Sequence, residues 1–394
     1  YNELRCIPPV QTQNYLIVAG LDLSKPEAEA QVSAYLGAGD NIYVSEKHLY
    51  VAVTRYPYYQ VYPELTNKLT SGSPSEQTLV YKFALAEGQI TYLNKGEVPG
   101  RILNQFSMDE YQDNFRITTT VGYSWGLGEE TSQNNLYILD KGLSIIGRLE
   151  NIAPGEQIYS TRFMGERAYM VTFKTVDPLF VLDLKDPYNP QILGTLKIPG
   201  YSDYLHPYDA NHIIGFGKDT VEVPYKDRQG RVLGTNAYYL GMKIAVFDVS
   251  DVANPRELFT EKIGDRGTTS ELLYNHKALL FNREKELLAF PVTLLEITDG
   301  SKYGAETGIP EYGRFTFQGA YIYKLNLTEG FTLRGRITHL SPQDYQKAGY
   351  SSGDPAKEIN RILYIDDVLY TVSDTQIKAN DLGSLAHIKD LPLP

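Results

Sequence analysis

The sequence has little of several features that define common classes of protein. Its 394 residues include one cysteine, Cys6, so no disulfide can form within the chain and a paired-cysteine metal site is excluded. Lysine and arginine are scattered and the net charge is −11, which argues against nucleic acid as a partner. No apolar run approaches the roughly 18 residues of a membrane-spanning helix, so we expect no transmembrane segment in this chain.

Helical periodicity is also nearly absent. Residues 26–36 (PEAEAQVSAYL) could form a helix, but the repeat register described below favours a strand over residues 30–35. By contrast, the chain holds 32 tyrosines, 33 glycines and 21 prolines. Tyrosine suits a half-exposed sheet surface, and glycine and proline suit tight turns, so the composition favours an all-β protein.

A repeated phrase is the strongest signal in the chain. Residues 179–200 read LFVLDLKDPYNPQILGTLKIPG, residues 244–264 read IAVFDVSDVANPRELFTEKIG, and a weaker copy begins at Leu136. Each copy is an apolar run that ends at an aspartate, then a polar turn, then a second apolar run that ends near glycine. Repeats of this size that carry several strands each predict a β-propeller built from four-stranded antiparallel blades.

Alignment of the repeats divides the chain into blades of one β-propeller domain. The first 39 residues contain only two strands, 15–23 and 30–36, which fits half a blade whose inner hairpin is missing. We therefore expect about six complete blades plus this half, a ring of seven or eight, and further residues upstream in the natural protein. The predicted ranges are 1–39 for the half blade and 40–100, 101–155, 156–200, 201–265, 266–339 and 355–394 for the blades.

Four polar insertions interrupt the repeats. Solvent-facing loops tolerate such length and often carry binding function, so we expect loops there. The insertions are residues 56–77, 221–238, 298–314 and 341–357.

The densest polar cluster is residues 203–212 (DYLHPYDANH), which the register places on and beside an innermost strand. Segments 104–110 and 271–277 hold matching inner positions in other blades. Histidines with carboxylates can bind zinc or act in acid–base chemistry, although packed and hydrogen-bonded side chains would give the same pattern. The candidate ligand-binding residues at this channel mouth are Asp109, Arg162, Asp203, His206, Glu271, His276 and Arg361.

The aspartates that end the repeated apolar runs have two interpretations. Asp22, Asp183 and Asp248 each precede a turn, where an aspartate side chain fixes the corner by binding backbone N–H groups. Carboxylates together with turn carbonyls also suit calcium, but the spacing does not match an EF-hand loop. No cofactor is required by the sequence, and calcium or another divalent ion is the alternative.

Several strings resemble a family of secreted bacterial proteins that carry a C-terminal β-propeller distantly related to WD repeats. The phrase VLDLKDPYNPQILGTLKIPG resembles LVIVD-type repeats, and NYLIVAGLDL, LNQFSMDEYQDNFRITTT and IGDRGTTSELLYNHKALLF resemble the longer family strings. This resemblance covers almost the whole chain. It implies a propeller and an extracellular or cell-surface location, and it assigns no reaction and no functional residue.

The sequence favours binding over catalysis. It holds no GxSxG nucleophile elbow, no phosphate-binding P-loop and no GxGxxG motif. We therefore predict a non-enzymatic extracytoplasmic binding or scaffold module that presents its loops and channel rim to a protein or glycan partner. The alternative is a metal-assisted hydrolase or lyase with its site at the channel mouth.

Overall fold

A computed structural model describes most of the chain as two compact units. Unit 1 comprises residues 1–174 and 180–193, and unit 2 comprises residues 175–179 and 194–394. Most of the predicted loop at 56–77 lies outside the described residues. These are 4–6, 15–25, 27, 29–37, 41–56, 76–86, 88–123, 131–173, 177–305, 307–350 and 352–394.

The first sheet has three strands in the order β1-β3-β2. The two predicted strands of the half blade pair antiparallel, as expected, with Ile17 opposite Ala34. The region that could also form a helix is strand β3, so the strand prediction is confirmed. A short strand that the sequence did not indicate pairs in parallel with β3. The strands are β1 (Leu4–Cys6), β2 (Tyr15–Gly20) and β3 (Gln31–Leu36).

Six further sheets each contain four antiparallel strands in chain order, and each sheet lies inside one predicted blade range. The predicted all-β blade architecture is therefore confirmed. The first three are β4 (Asn41–Val44), β5 (His48–Arg55), β6 (Gln77–Ala86) and β7 (Gln89–Pro99); β8 (Met108–Tyr111), β9 (Asn114–Val121), β10 (Gln133–Leu139) and β11 (Ile145–Ile152); and β12 (Gln157–Met164), β13 (Arg167–Phe173), β14 (Asp177–Asp183) and β15 (Gln191–Ile198).

The last three sheets continue the same order, and one α-helix follows β23 within the described residues. The strands are β16 (Tyr201–Asp209), β17 (His212–Lys226), β18 (Val232–Asp248) and β19 (Arg256–Ile263); β20 (Leu280–Asn282), β21 (Leu287–Glu296), β22 (Arg314–Asn326) and β23 (Gly330–Ile337); and β24 (Arg361–Ile365), β25 (Val368–Val372), β26 (Gln376–Asp381) and β27 (His387–Pro392), with the helix α1 at Pro342–Lys347.

Large side chains on the second and third strands of the blades form the core of each unit. In unit 1, Tyr50 stacks on Phe115 with ring centroids 4.4 Å apart, and both residues are fully buried. In unit 2, the Phe290 ring packs edge-on against Phe216 and stacks on Tyr323. Burial of each such ring removes a large apolar area from water, which stabilises the contact between neighbouring sheets.

A side-chain oxygen closes the corner after the third strand in most blades. Asp183 Oδ1 accepts the Lys185 N–H at 2.9 Å, and Asp248 Oδ1 accepts the Ser250 N–H at 2.9 Å. Asp22 does the same for Ser24 after β2. The prediction of structural turns at these aspartates is therefore confirmed. Three further residues close the same corner in other blades by accepting backbone N–H groups two to four residues ahead. They are Asp140, Asn326 and Asp381.

The prediction of a polar loop at residues 221–238 is wrong. Strands β17 and β18 continue through this region as a two-stranded ribbon, with Val221 opposite Tyr238 and Pro224 opposite Thr235. The alternation of polar and apolar residues supports both strands, and the ribbon has free edges that tolerate the proline. Asp227 closes its tip by accepting the Gln229 and Arg231 N–H groups.

We expect the Asp248 corner to contribute measurably to stability. Its carboxylate is 6% exposed and accepts the Ser250 N–H, the Ser250 hydroxyl and the Arg256 guanidinium. Asp248→Ala leaves the Ser250 N–H without this acceptor, so we expect a loss of about 1–3 kcal/mol in the free energy of unfolding, measured with urea. Glu284→Ala, at an exposed position in the turn between β20 and β21, is the control and should have little effect.

The same corner predicts a pH dependence. The Ser250 hydrogen bonds lower the pKa of Asp248 to about 2, below its ordinary value of 3.8. The stabilisation is therefore present above pH 4 and is lost as the pH falls through 2. Asp248→Ala should show a flatter stability profile across this window. If Asp248→Ala and its control lose equal amounts of unfolding free energy at neutral pH, a special role for this corner is contradicted.

Candidate functional site

In unit 1, Asp109 belongs to a hydrogen-bonded charge cluster around β8. The guanidinium of Arg116, which is 3% exposed, donates from Nε to Asp109 Oδ2 at 2.9 Å, and Tyr43 donates to Oδ1 at 3.4 Å. The adjacent Glu110 lies 2.7 Å from His48 Nδ1. Each carboxylate in the cluster therefore already has a partner on a neighbouring strand, which is the arrangement of a structural network.

Arg162 lies on β12 of the same unit and packs on an aromatic ring. Its guanidinium carbon is 5.2 Å from the centroid of Phe106, in the 3₁₀ turn at Gln105–Ser107. A guanidinium in this position gains a cation–π contact.

In unit 2, Asp203 occupies a bulge at the start of β16. The pairing of β16 with β17 shifts between Ser202 and Tyr204, which leaves Asp203 as the extra residue. Burial raises the pKa of Asp203 to about 7, although the nearby Lys218 ammonium opposes the shift. Lys218 Nζ donates to the Thr268 carbonyl, and burial lowers its own pKa. A carboxyl group that titrates near neutrality has the proton affinity that general acid–base chemistry requires.

The structure brings the two candidate histidines of unit 2 close together through an aromatic cluster. Tyr204 Oη lies 3.0 Å from His206 Nδ1, and the Tyr204 and His276 rings are 6.1 Å apart. His206 also packs edge-on against Phe281. His276 lies in a 3₁₀ turn, His276–Ala278, just before β20. Ring packing and one hydroxyl partner account for this geometry without a metal ion.

Glu271 and Arg361 form a second pair in unit 2. Arg361 Nη1 lies 3.7 Å from Glu271 Oε1, in the 3₁₀ turn Glu271–Leu273. Glu271 lines a cavity of about 300 Å³ together with Tyr274, Glu358 and Asn360. Burial raises the pKa of Glu358. The structure thus brings Glu271 and Arg361 together beside a small cleft with polar side chains in its wall.

The described residues hold no group of three or more histidine, cysteine or acidic side chains that could bind a metal ion. The histidines have separate partners: His212 contacts Asp209, His339 contacts Ser373 and Thr371, and His387 contacts Asp390. The seven predicted residues thus divide into Asp109 and Arg162 in unit 1 and the remainder in unit 2. Their location at one channel mouth stays a prediction.

The sequence analysis missed a charged cavity in unit 2, which we name the hairpin cavity. It measures about 470 Å³ and lies against the base of the β17–β18 ribbon and the segment after β21. Asp219 Oδ2 lies 2.8 Å from Lys262 Nζ, and Asp265 Oδ1 lies 2.7 Å from Lys302 Nζ. Sequence offered one signal, the GDR run at 264–266, because charged residues at a strand end often line a cavity. The other charged residues of the lining are Arg266, Glu296 and Glu311.

Three segments of unit 2 form what we name the extension surface, which comprises residues 219–242, 297–305, 307–313, 341–350 and 352–357. A cavity of about 570 Å³ lies between the ribbon and residues 307–309. Tyr350 donates to the Tyr312 carbonyl at 3.2 Å, and Arg314 packs on the Tyr350 ring. Seven apolar or aromatic side chains on this surface are 42–61% exposed, namely Tyr225, Val232, Leu233, Tyr239, Tyr303, Tyr312 and Tyr350.

The chain belongs to the β-propeller domain family, because the model of that family matches residues 1–385. An uncharacterized protein of Methanocaldococcus jannaschii is 44% identical over 171 residues, which cover 43% of this chain and 24% of that protein. An uncharacterized protein of Archaeoglobus fulgidus is 36% identical over 336 residues, covering 85% of this chain and 42% of that protein. The chain thus spans less than half the length of these archaeal relatives. Bacterial origin and secretion stay predictions.

Solved structures match the chain at low sequence identity and low TM-score. The periplasmic gluconolactonase of Pseudomonas aeruginosa covers 82% of this chain and 93% of its own, with 13% identity and a TM-score of 0.31. The Dos1 propeller matches over 82% of this chain and 68% of its own length, with 10% identity and a TM-score of 0.41. Sequence identities and TM-scores this low support no inference about activity. No helix among the described residues is long and apolar enough to cross a membrane.

The raised pKa of Asp203 predicts a stability change of defined sign. Because the folded pKa lies above the unfolded value, the contribution to stability is full below about pH 4 and is lost as the pH rises through 7. Asp203→Asn keeps the group uncharged. We expect the free energy of unfolding of Asp203→Asn, measured with urea, to exceed that of the wild type by about 1–3 kcal/mol at pH 8 and to match it near pH 4.

Asp209→Asn is the control for this experiment. Hydrogen bonds from Asn211 and His212 outweigh burial and lower the pKa of Asp209, so its substitution should destabilise the fold at pH 8. An Asp203→Asn variant that loses stability at pH 8 would show that the carboxylate is needed in its ionised form.

Proposed function

We propose that this chain is a non-enzymatic binding module that works outside the cytoplasm and uses the extension surface to hold a protein or glycan partner. The β-propeller fold supports a general binding or scaffold role. The single observation that carries the proposal is the extension surface, because blade packing does not require it. A blade needs only short connections between its second and third strands, whereas β17 and β18 run well beyond the paired body of their sheet.

The chemistry of the extension surface suits a partner. Arg266 lies 4.2 Å from the Tyr312 ring centroid and 5.4 Å from that of Tyr238, so its guanidinium is flanked by two aromatic rings. Tyrosine and arginine are the residues that most often dominate binding energy at interfaces. Exposed apolar patches often mark interaction sites, and the extension surface carries seven exposed aromatic or aliphatic side chains.

The proposed location outside the cytoplasm has weaker support. It depends on the single cysteine of the chain and on the family resemblance of its sequence. Protease treatment of intact cells that produce the natural full-length protein would test it. Cleavage of this domain without lysis is expected, and complete protection until lysis would contradict the location.

An acid–base enzyme is the second candidate function, and Asp203 is the observation that favours it. Its pKa near 7, its position in a strand bulge and the adjacent Lys218 resemble the setting of a catalytic carboxyl group. The metal-assisted form of this alternative has no cluster of ligands among the described residues. Activity against a substrate panel that Asp203→Asn abolishes would favour catalysis over binding.

Binding through the extension surface is tested with a matched pair of variants. Leu233 on the ribbon is 61% exposed and Leu391 on β27 is 54% exposed, so substitution of either by aspartate should leave the fold intact. The immobilised chain is exposed to cell-envelope extracts and to a glycan panel, and the dissociation constant of each retained partner is then measured. We expect Leu233→Asp to weaken binding at least tenfold and Leu391→Asp to leave it unchanged. Equal affinities in both variants, or no retained partner, would contradict the proposal.

A further inference from the structure

We infer that the hairpin cavity binds a neutral sugar unit of a glycan, with Asp219 as the main hydroxyl acceptor. This inference rests on the proposed binding function and names its ligand class. The carrying observation is a buried carboxylate oxygen that has no hydrogen-bond partner among the described residues and belongs to a residue that lines the cavity. The cavity volume of about 470 Å³ lies in the ordinary range of small-molecule sites.

Asp219 is 5% exposed and sits at the base of the ribbon. Its Oδ2 atom pairs with Lys262 at 2.8 Å, whereas its Oδ1 atom is enclosed and accepts no hydrogen bond from the residues that the structure describes. An unpaired buried carboxylate oxygen is costly, and such groups are rare in folded proteins. The Lys262 side chain is 58% exposed, so its ammonium can move away from Oδ2, and the carboxylate can then turn either oxygen toward a hydroxyl donor in the cavity.

The charges of the cavity wall select for a ligand that both donates and accepts hydrogen bonds. The lysines at 262 and 302 already neutralise Asp219 and Asp265, and Asp265 Oδ2 also accepts the Ile297 N–H. A strongly charged ligand would break these pairs, and an apolar ligand would leave their polar atoms unsatisfied. A hydroxyl group both donates to a carboxylate and accepts from an ammonium, so vicinal hydroxyls match alternating acidic and basic side chains.

An aromatic side chain completes the cavity. Tyr303 lines it and is 42% exposed, so one face of its ring is available to the C–H face of a sugar. Arg266 donates to the Pro310 carbonyl at 2.6 Å and stacks on Tyr312, which fixes the wall beside Tyr303. Acidic and basic groups that bind hydroxyls, combined with an aromatic platform, favour a sugar ring over a linear polyol.

The experiment is isothermal titration of the full chain with a panel of neutral hexose oligosaccharides, together with spermidine and inorganic phosphate as charged probes. We expect saturable binding of at least one neutral oligosaccharide and none of the charged probes. Asp219→Asn and Tyr303→Ala should each weaken that binding at least tenfold. The controls Asp251→Asn, an exposed carboxylate of the turn after β18, and Tyr188→Ala, an exposed tyrosine of unit 1, should leave it unchanged.

The melting temperature separates binding from folding. Asp219→Asn removes an ion pair to the largely exposed Lys262, which contributes little, together with the cost of enclosing a carboxylate oxygen that has no donor. Its melting temperature should therefore stay within a few degrees of the wild type, whereas a purely structural aspartate would lower it by more. Neutral oligosaccharides that fail to bind, binding that survives both variants, or binding of spermidine or phosphate alone would each overturn the inference. If no sugar binds but a partner is still held through Leu233, the sugar inference fails and the proposed function stands. If neither binds, both fail.

Discussion

The side-chain oxygen at the corner after the third strand is the interaction on which the blades depend. A four-stranded antiparallel sheet must reverse direction at each strand end, where the ladder no longer satisfies the backbone N–H groups. Asp183, Asp248 and Asn326 accept those N–H groups and thereby fix the angle at which the fourth strand returns. Because a side chain of the corner itself accepts these N–H groups, the corner is closed locally in most of the described blades.

Local closure of the blades leaves the connections between second and third strands free to vary. In unit 2 this freedom takes the form of a ribbon, with Thr220 opposite Tyr239 and Val221 opposite Tyr238, rather than a flexible loop. A paired ribbon holds side chains such as Tyr225 and Leu233 in fixed positions at low cost in chain entropy. It also forms a wall of the hairpin cavity through Asp219, so the same extension provides an exposed surface and an enclosed polar site.

The four-stranded blade architecture was predictable because the Asp-turn phrase repeats, and the strand at Gln31–Leu36 was predictable from the same register. The ribbon was not, because its polar alternation and Pro224 resemble a loop when the pairing partner is unknown. The corner at Asn326 was not predicted either, because an amide oxygen rather than an aspartate accepts the backbone N–H groups there. Sequence reasoning placed Glu271 and Arg361 together but could not find the hairpin cavity, because Asp219 and Lys302 are far apart in sequence and each resembles an ordinary surface charge.

The central claim is that the blades fold without the β17–β18 ribbon and that this ribbon carries the function. Replacement of residues 222–237 by an Asn-Gly turn joins Val221 to Tyr238, which already face each other across the ribbon. Calorimetry of this variant, combined with the partner-binding measurement, tests the claim most directly. The account predicts one cooperative transition within a few degrees of the wild type and loss of partner binding. A broadened transition or a large fall in melting temperature, or binding that persists without the ribbon, would contradict it.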